Sequence, residues 1–429
     1  MMKTIKYPER SEWEALSRRP EIIKADLEEV VGEILEGVKN DRDEALFYYS
    51  LKFDGVKLPA LKVSEKEMSE AQDLVPEDLK KAIAVAFANI EKFHRAQITE
   101  EKITETSKGV RCWRKNVPIE RVGLYIPGGS APLFSTVLML GIPAMIAGCK
   151  RIIMCTPPEI TGKVNPVILY TAGLIGITEI FKTGGAQAIA AMAYGTGTIP
   201  DVYKIFGPGN QYVTKAKELV QQDGIPIDMP AGPSEVLVIA DRNADPDFIA
   251  ADLLSQAEHG PDSQVVLVTD SEDLPEKVTT EVKAQLRDLP RKEIAAKALD
   301  NSLMIVLQSL KDCLDFSNTW APEHLIINTG NSRELAEGVV NAGSVFIGPY
   351  SCESAGDYAS GTNHTLPTNR FAINYSGVSV ESFMKKISFQ ELNSEGISIL
   401  GPVIETMPEA ENLRAHRNAV SKRLTRIRK

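Results

Sequence analysis

Glu235-Val-Leu-Val-Ile-Ala240 and Gln264-Val-Val-Leu-Val-Thr269 are short apolar runs on either side of Asp245-Pro-Asp-Phe-Ile-Ala-Ala-Asp-Leu-Leu-Ser-Gln-Ala-Glu-His259. The order reads as strand, helix, strand, the unit from which parallel sheets are built. Asp245 suits an N-cap, because its carboxylate accepts from free N–H groups of the first turn, and Pro246 lacks an N–H where none is needed. Phe248, Ile249, Ala251, Leu253 and Leu254 make the helix mostly apolar and buried, and Gly260-Pro261 end it. Gln256 and His259 fall on the final turn as neighbours on one face. An amide oxygen and an imidazole placed there can ligate a borderline metal such as zinc. A histidine at a solvated helix end is equally favoured by the negative pole of the helix dipole. The helix alone leaves both readings open.

The same texture extends outward. Val122-Gly-Leu-Tyr-Ile126, Arg151-Ile-Ile-Met-Cys155, Glu179-Ile-Phe181 and Tyr203-Lys-Ile-Phe206 read as earlier strands, and Leu325-Ile-Ile-Asn328 and Ser344-Val-Phe-Ile347 as later ones. Helical segments separate most of them, which predicts parallel sheets with covered faces, and so many strands predict two sheets rather than one. Residues 1–108 read as helical instead. Pro20 opens a segment reaching about residue 39, with Ile22, Ile23, Leu27, Val30, Val31 and Ile34 on one face; residues 41–51 and 79–93 are further helices, and Ser64-Glu-Lys-Glu67 is a capping box. His94, beside Lys92 and Arg95, reads as a surface residue without a role. Thr406-Met-Pro-Glu-Ala-Glu-Asn-Leu-Arg-Ala-His416 reads as the start of a C-terminal helix, with Glu411 and His416 about 140° apart around it.

Composition narrows the function classes. A chain of 429 residues with 43% hydrophobic and 25% charged residues is an ordinary soluble globular protein with room for two or three cores. A net charge of -10 with pI near 5.3 argues against a nucleic-acid or anionic-membrane partner. Cys112, Cys149, Cys155, Cys313 and Cys352 are odd in number and form no C-x-x-C pair, which fits scattered reduced thiols. With no apolar signal core near Met1 and no run long enough to span a membrane, the expected compartment is the cytoplasm.

Three of the early strands end in glycine turns ahead of a helix: Tyr125-Ile-Pro-Gly-Gly-Ser130, Gly184-Gly-Ala-Gln187 and Gly207-Pro-Gly-Asn210. Such turns let a ligand approach the backbone and meet the next helix's N–H groups, so a nucleotide-sized site is plausible, although none is a full G-x-G-x-x-G. The second half carries the chemistry. Trp320-Ala-Pro-Glu-His-Leu325 sets Glu323 and His324 side by side before a strand, where alternation would point them apart. Glu353-Ser-Ala-Gly-Asp-Tyr-Ala-Ser-Gly-Thr-Asn-His364 reads as a long polar loop offering Asp357 as a metal ligand and His364 as a donor. Four histidines, His259, His324, His364 and His416, stand at element ends beside carboxylates, amides or glycines. With Gln256 and Asp357 they look like a metal and acid–base site gathered from distant segments.

These segments, together with Val122-Gly-Leu-Tyr-Ile-Pro-Gly-Gly-Ser-Ala-Pro-Leu133, Ile205-Phe-Gly-Pro-Gly-Asn210 and Asp228-Met-Pro-Ala-Gly-Pro-Ser-Glu235, resemble histidinol dehydrogenase from about residue 110 to 420. The resemblance implies an α/β fold of two Rossmann-like parallel-sheet domains with a helical N-terminal arm and a helical C-terminal tail domain. The implied division is 1–20 for the arm, 21–125 with 235–378 for the domain carrying the zinc and acid–base residues, 126–234 for an NAD-binding domain, and 379–429 for a tail contacting the partner subunit. It further implies zinc-dependent, NAD-linked oxidation of L-histidinol to L-histidine in a homodimer with shared sites and one zinc ion per subunit. Gln256, His259, Asp357 and, from the partner, His416 would hold zinc. Glu323 and His324 would be the acid–base pair, with His324 neutral near pH 7 and taking the hydroxyl proton. Tyr125, Gln187 and Asn210 would contact NAD, and Ser234, His364 and Glu411 would join His324 and the zinc ligands in holding substrate. A related zinc and NAD dehydrogenase acting on another amino or sulfonated diol, and a zinc hydrolase with Glu323 as base, are the rival readings. Cys149 and Cys155 flank an apolar strand, where packing rather than attack on an aldehyde is the expected role.

Overall fold

The computed structural model describes residues 2–19, 26–128 and 132–428. Pro20, Ile22, Ile23, Gly129 and Ser130 lie outside the described residues. The strands are β1 (Lys3–Lys6), β2 (Thr104–Ser107), β3 (Val110–Pro118), β4 (Arg121–Tyr125), β5 (Arg151–Thr156), β6 (Glu179–Lys182) and β7 (Lys204–Phe206), followed by β8 (Glu235–Ala240), β9 (Gln264–Thr269), β10 (Leu303–Val306), β11 (His324–Asn328), β12 (Ser344–Ile347) and β13 (Met384–Leu392). They form a parallel sheet ordered β1-β10-β9-β8-β11-β12, a second parallel sheet ordered β6-β5-β4-β7, and an antiparallel sheet ordered β13-β3-β2.

Strands β8 and β9 are buried along their whole length, as a parallel strand covered on both faces must be. Val236, Val238, Ala240, Val265 and Leu267 share one core with the helices Pro246–Ala257 and Leu274–Leu286, while Leu237, Ile239, Val266 and Val268 share another with the helix Leu310–Trp320 and Trp13. Asp245 caps the first of these helices by accepting from the Asp247 N–H at 3.0 Å. The four-stranded sheet is covered in the same way. Val122, Leu124 and Ile126 pack on the helices Phe134–Ala147 and Pro166–Ile175; Tyr125, Ile153 and Phe181 pack on Gly185–Tyr194 and Gln211–Gln222. The helices Leu27–Asp41 and Glu77–Arg95 belong to these two cores, so most of residues 27–95 pack on the four-stranded sheet, while Glu77–Arg95 also meets residues of the 235–378 group through Asn89 at Ala359 and His94 at Asn363.

Four expectations give way to the structure. The first residues are not helical throughout, because β1 forms the edge of the six-stranded sheet, paired in parallel with β10. The antiparallel sheet was not expected, since β2 and β13 are almost entirely exposed and show no one-sided apolar alternation. The C-terminal helix is broken: Ser394–Ala410 ends at Glu411, Asn412 turns left-handed with φ 60°, and Arg414–Ile427 begins a new helix. Glu411 and His416 therefore stand on different elements. His94 is fully buried rather than on the surface. Its Nδ1 lies 2.8 Å from the Ile90 carbonyl oxygen and its Nε2 3.3 Å from the Asn363 amide nitrogen, which itself donates to the Met139 carbonyl at 2.6 Å.

Burial lowers the pKa of His94, and the bond to Ile90 only partly offsets it. The unfolded chain accepts a proton near the ordinary value of 6.5 that the folded chain refuses, so this contribution to stability is full above 6.5 and is lost as pH falls toward the folded value. Urea denaturation between pH 7.5 and 5.5 is expected to show a smaller pH-dependent loss for His94→Gln than for the wild type. Equal losses would place His94 in an environment that tolerates its charge.

Candidate active site

Glu323 and His324 stand at the amino end of β11, and Glu235 begins β8 beside it, with His324 opposite Val236 in the register. The helix after β8 returns to this same end, bringing Gln256 onto its last turn and His259 just past it. The segment read as a polar loop instead forms a short helix, Glu353–Tyr358, which adds Glu353 and Asp357. The adjacent Glu323 and His324 converge despite the alternation rule: Glu323 precedes the strand, and Ala321 before it holds φ 51°, so extended geometry begins only at His324.

The groups interlock closely. Glu323 Oε2 accepts from the Glu235 N–H at 2.8 Å and lies 3.5 Å from His324 Nδ1. That ring nitrogen is 3.1 Å from the Glu235 carbonyl oxygen, and His324 Nε2 is 3.3 Å from Asp357 Oδ1. In one orientation the Gln256 amide nitrogen lies 3.3 Å from His324 Nδ1 and 3.4 Å from Glu323 Oε2, leaving its oxygen facing the carboxylate of Glu353. Turned over, the amide donates to Glu353 Oε1 at 2.6 Å and accepts from the Glu235 N–H at 3.2 Å. The first arrangement sets acceptor against acceptor when Glu353 is ionised and is relieved by a cation or a proton between them; the second satisfies both from the chain alone.

Three carboxylates and one imidazole share this buried space. Burial raises the pKa of Glu323 and pushes Glu353 up to about 8. Burial alone would lower His324, but Glu323, Glu353 and Asp357 outweigh it and hold its pKa well above 6.5. The expectation of a neutral His324 near pH 7 therefore does not hold among these side chains by themselves, because the carboxylates favour the imidazolium. Burial also works against the charge on Asp357, yet the bond to His324 holds its pKa below the ordinary value.

One ligand atom from each of His259, Glu353 and Asp357 lies within 4.8 Å of the others. Buried Glu353 Oε2 has no hydrogen-bond partner, and Asp357 Oδ1 and His324 Nε2 meet only each other, as an ion pair at 3.3 Å. Orphaned acceptors beside an imidazole and an amide oxygen suit a borderline divalent ion such as zinc. Sequence reasoning missed Glu353, which opens a quoted motif but was read as part of a connecting loop. It also missed Glu235, whose side chain is 1% exposed and whose main chain touches both members of the acid–base pair.

The other expected residues divide into three places. His364 joins the group from behind: its Nδ1 lies 2.9 Å from the Asp357 carbonyl oxygen and its Nε2 3.2 Å from Thr136 Oγ1, on the helix following β4. Ser234 is half-buried and directly precedes Glu235. Tyr125 ends β4, and Gln187 and Asn210 follow the carboxyl ends of β6 and β7. The Tyr125 hydroxyl accepts from the Gly185 N–H at 3.1 Å, and Asn210 caps its helix through the Tyr212 and Val213 N–H groups. Strand order reverses between β4 and β7, the switch point where parallel sheets open a crevice for nucleotides. Gly207 lines that crevice with φ 131°, and a Cβ there would stand 2.1 Å from the Tyr125 carbonyl oxygen. Glu411 and His416 are exposed and lie outside the metal-competent group of the described residues. Cys155 is buried in the core, and burial pushes the Cys149 thiol up to about 12, so neither is a ready thiolate.

Known proteins share this fold and much of this sequence. The family model for histidinol dehydrogenase matches residues 17–424. The histidinol dehydrogenase of Bacteroides thetaiotaomicron is 55% identical over 428 residues, covering 100% of both chains. That of Escherichia coli strain K12 is 53% identical over 416 residues, covering 96% of this chain and 95% of its own. The crystal structure of histidinol dehydrogenase from Elizabethkingia anophelis superposes with a TM-score of 0.98 at 56% identity, over 100% of this chain and 99% of that one. No helix among the described residues is long and apolar enough to cross a membrane. A matched family model over nearly the full length, relatives above half identity and a superposable fold place this oxidoreductase in the histidinol dehydrogenase family.

Proposed function

We propose that the protein oxidises L-histidinol to L-histidine through L-histidinaldehyde, using zinc and two molecules of NAD, as the last steps of histidine biosynthesis in the cytoplasm. The observation that carries this reading is the buried Glu323–His324 pair set against the metal-competent group of His259, Glu353 and Asp357. Gln256, His259 and Asp357 would hold one zinc ion per subunit together with His416 of the partner subunit. The exposure of Glu411 and His416 supports their service to a neighbouring copy in a homodimer. Tyr125, Gln187 and Asn210 would hold NAD at the switch point, and NAD supplies the hydride acceptor for each oxidation. Zinc, when bound, supplies positive charge that orients the substrate's amine and imidazole and offsets the carboxylates that otherwise keep His324 protonated.

The chain's own residues move the protons. His324 accepts the alcohol proton in the first oxidation, with Asp357 and the Glu235 carbonyl fixing its ring. Glu323, a carboxylate whose basicity burial has raised, takes a proton from the water that adds to the aldehyde. His324 returns its first proton to the aldehyde oxygen as the water adds and, neutral again, accepts the hydroxyl proton of the resulting hydrate as the second oxidation proceeds. Ser234 and His364, with the partner's Glu411, line the space for substrate beside the ligands. Burial of Glu323 and His324 keeps bulk water out while the aldehyde is present.

The reading is tested by counting NADH formed per histidinol consumed, with and without a chelator. A ratio of two that collapses on chelation supports it; hydrolysis without NADH, or turnover indifferent to chelation, contradicts it. Glu323→Gln is expected to slow aldehyde oxidation by roughly 10²–10⁴-fold and alcohol oxidation much less. Equal losses in the two half-reactions, assayed separately, would reject the division of labour.

A further inference from the structure

Arg19 sits where the chain has left the strand and short helix packed on the six-stranded sheet, ahead of the helix Leu27–Asp41 on the four-stranded one. Its side chain is 6% exposed and faces the equally buried carboxylate of Glu235. Nε and Nη2 each donate to one carboxylate oxygen at 2.8 Å, the parallel fork peculiar to a guanidinium. Nη1 donates to the main-chain oxygens of Ser17 at 2.7 Å and Trp320 at 2.8 Å, and the guanidinium carbon lies 3.7 Å from the centre of the Trp320 ring. The Asn369 N–H donates to Glu235 Oε1 at 3.0 Å, which completes the clamp.

Both ends of that clamp lead to Glu323. Glu235 supplies the N–H at 2.8 Å that is the closest hydrogen bond to the Glu323 carboxylate; the next contact, from Gln256, is at 3.4 Å. Trp320 begins the three-residue approach to Glu323, through Ala321 with its φ of 51°. His324 depends less on this clamp, because Asp357 and Gln256 also fix its ring. We infer that Arg19 is a positioning residue for the acid–base pair, acting through Glu235 and Trp320 to hold the Glu323 carboxylate in place. It touches neither Glu323 nor His324. The inference rests on the roles proposed above for those two residues. Losing the fork leaves a buried carboxylate without its partner, so Glu235 must shift, and its N–H shifts with it.

The test compares wild type, Arg19→Lys and Arg19→Ala as zinc-loaded dimers, reading kcat and KM, NADH per histidinol, and aldehyde trapped by semicarbazide. Lysine keeps the charge but cannot make the fork, so Arg19→Lys decides the matter even where Arg19→Ala fails to fold. The expected result is a kcat reduced about 10–100-fold with KM for NAD unchanged. The NADH ratio should fall below two, with trapped aldehyde making up the difference, and added guanidinium should restore part of the activity of Arg19→Ala. A folded Arg19→Lys that keeps wild-type kcat and a ratio of two overturns the inference. So does a loss of activity that follows loss of folded protein while the remaining enzyme still yields two NADH per histidinol, since that is what a merely structural residue would show. Wild type yielding no NADH from histidinol would instead sink the proposed function itself.

Discussion

The main chain of Glu235 is the constraint around which the site is built. Its N–H binds Glu323 and its carbonyl oxygen lies against His324, so the backbone of one residue fixes two side chains that strand alternation would have separated. That residue opens β8, a strand buried on both faces and paired on both edges. The geometry of the site is thus carried by the first residue of a deeply packed strand, whose side chain is held in turn by the Arg19 fork.

The arrangement joins opposite ends of two sheets. Parallel sheets usually bind ligands at their carboxyl ends, and the four-stranded sheet sets Tyr125, Gln187 and Asn210 at that end. The six-stranded sheet presents its amino ends instead, at Glu235 and Glu323. Its own switch point, between β8 and β11, is occupied from within: Asp241 accepts from the Gly330 N–H at 2.7 Å and the Asn243 N–H at 2.8 Å. Segment 353–364 bridges the two units, reaching Gln256 through Glu353, His324 through Asp357, and the helix after β4 through His364 and Asn363. Three buried carboxylates around one imidazole, two of them made reluctant to ionise by burial, make a hollow in which a divalent ion and a cationic substrate would favour the charged forms. It also explains why His324 is held protonated by its neighbours alone.

Much of this was legible in the sequence, and the gaps have physical causes. Strands β8, β9 and β11 read clearly because burial on both faces makes them continuous apolar runs. β2, β3 and β13 did not, because an exposed antiparallel sheet leaves no such run and β13 lies far along the chain from its partner β3. The break at Asn412 was hidden because Pro402 and Pro408 sit inside a helix without ending it, whereas an asparagine with positive φ does. Gln256, His259 and Asp357 stood out because amides, imidazoles and carboxylates at element ends are unusual, and the fold brings His259 and Asp357 together. Glu353 and Arg19 were not, since a glutamate in a polar stretch and an arginine in Ser17-Arg-Arg-Pro20 look like solvated residues until the fold buries them. Nor can a sequence state the charge of His324, which depends on its neighbour Glu323 and on two carboxylates brought by the distant helix Glu353–Tyr358.

The central claim is that the amino ends of one sheet and the carboxyl ends of the other enclose a single reaction space. A crystal structure of the dimer with zinc, NAD and histidinol tests it most directly. The account predicts one metal ion held by Gln256, His259 and Asp357 with His416 of the partner subunit, and a nicotinamide ring lying between the Tyr125–Asn210 crevice and His324. A dinucleotide seated at the carboxyl ends of β8 and β11, or a metal bound away from Asp357, would contradict it.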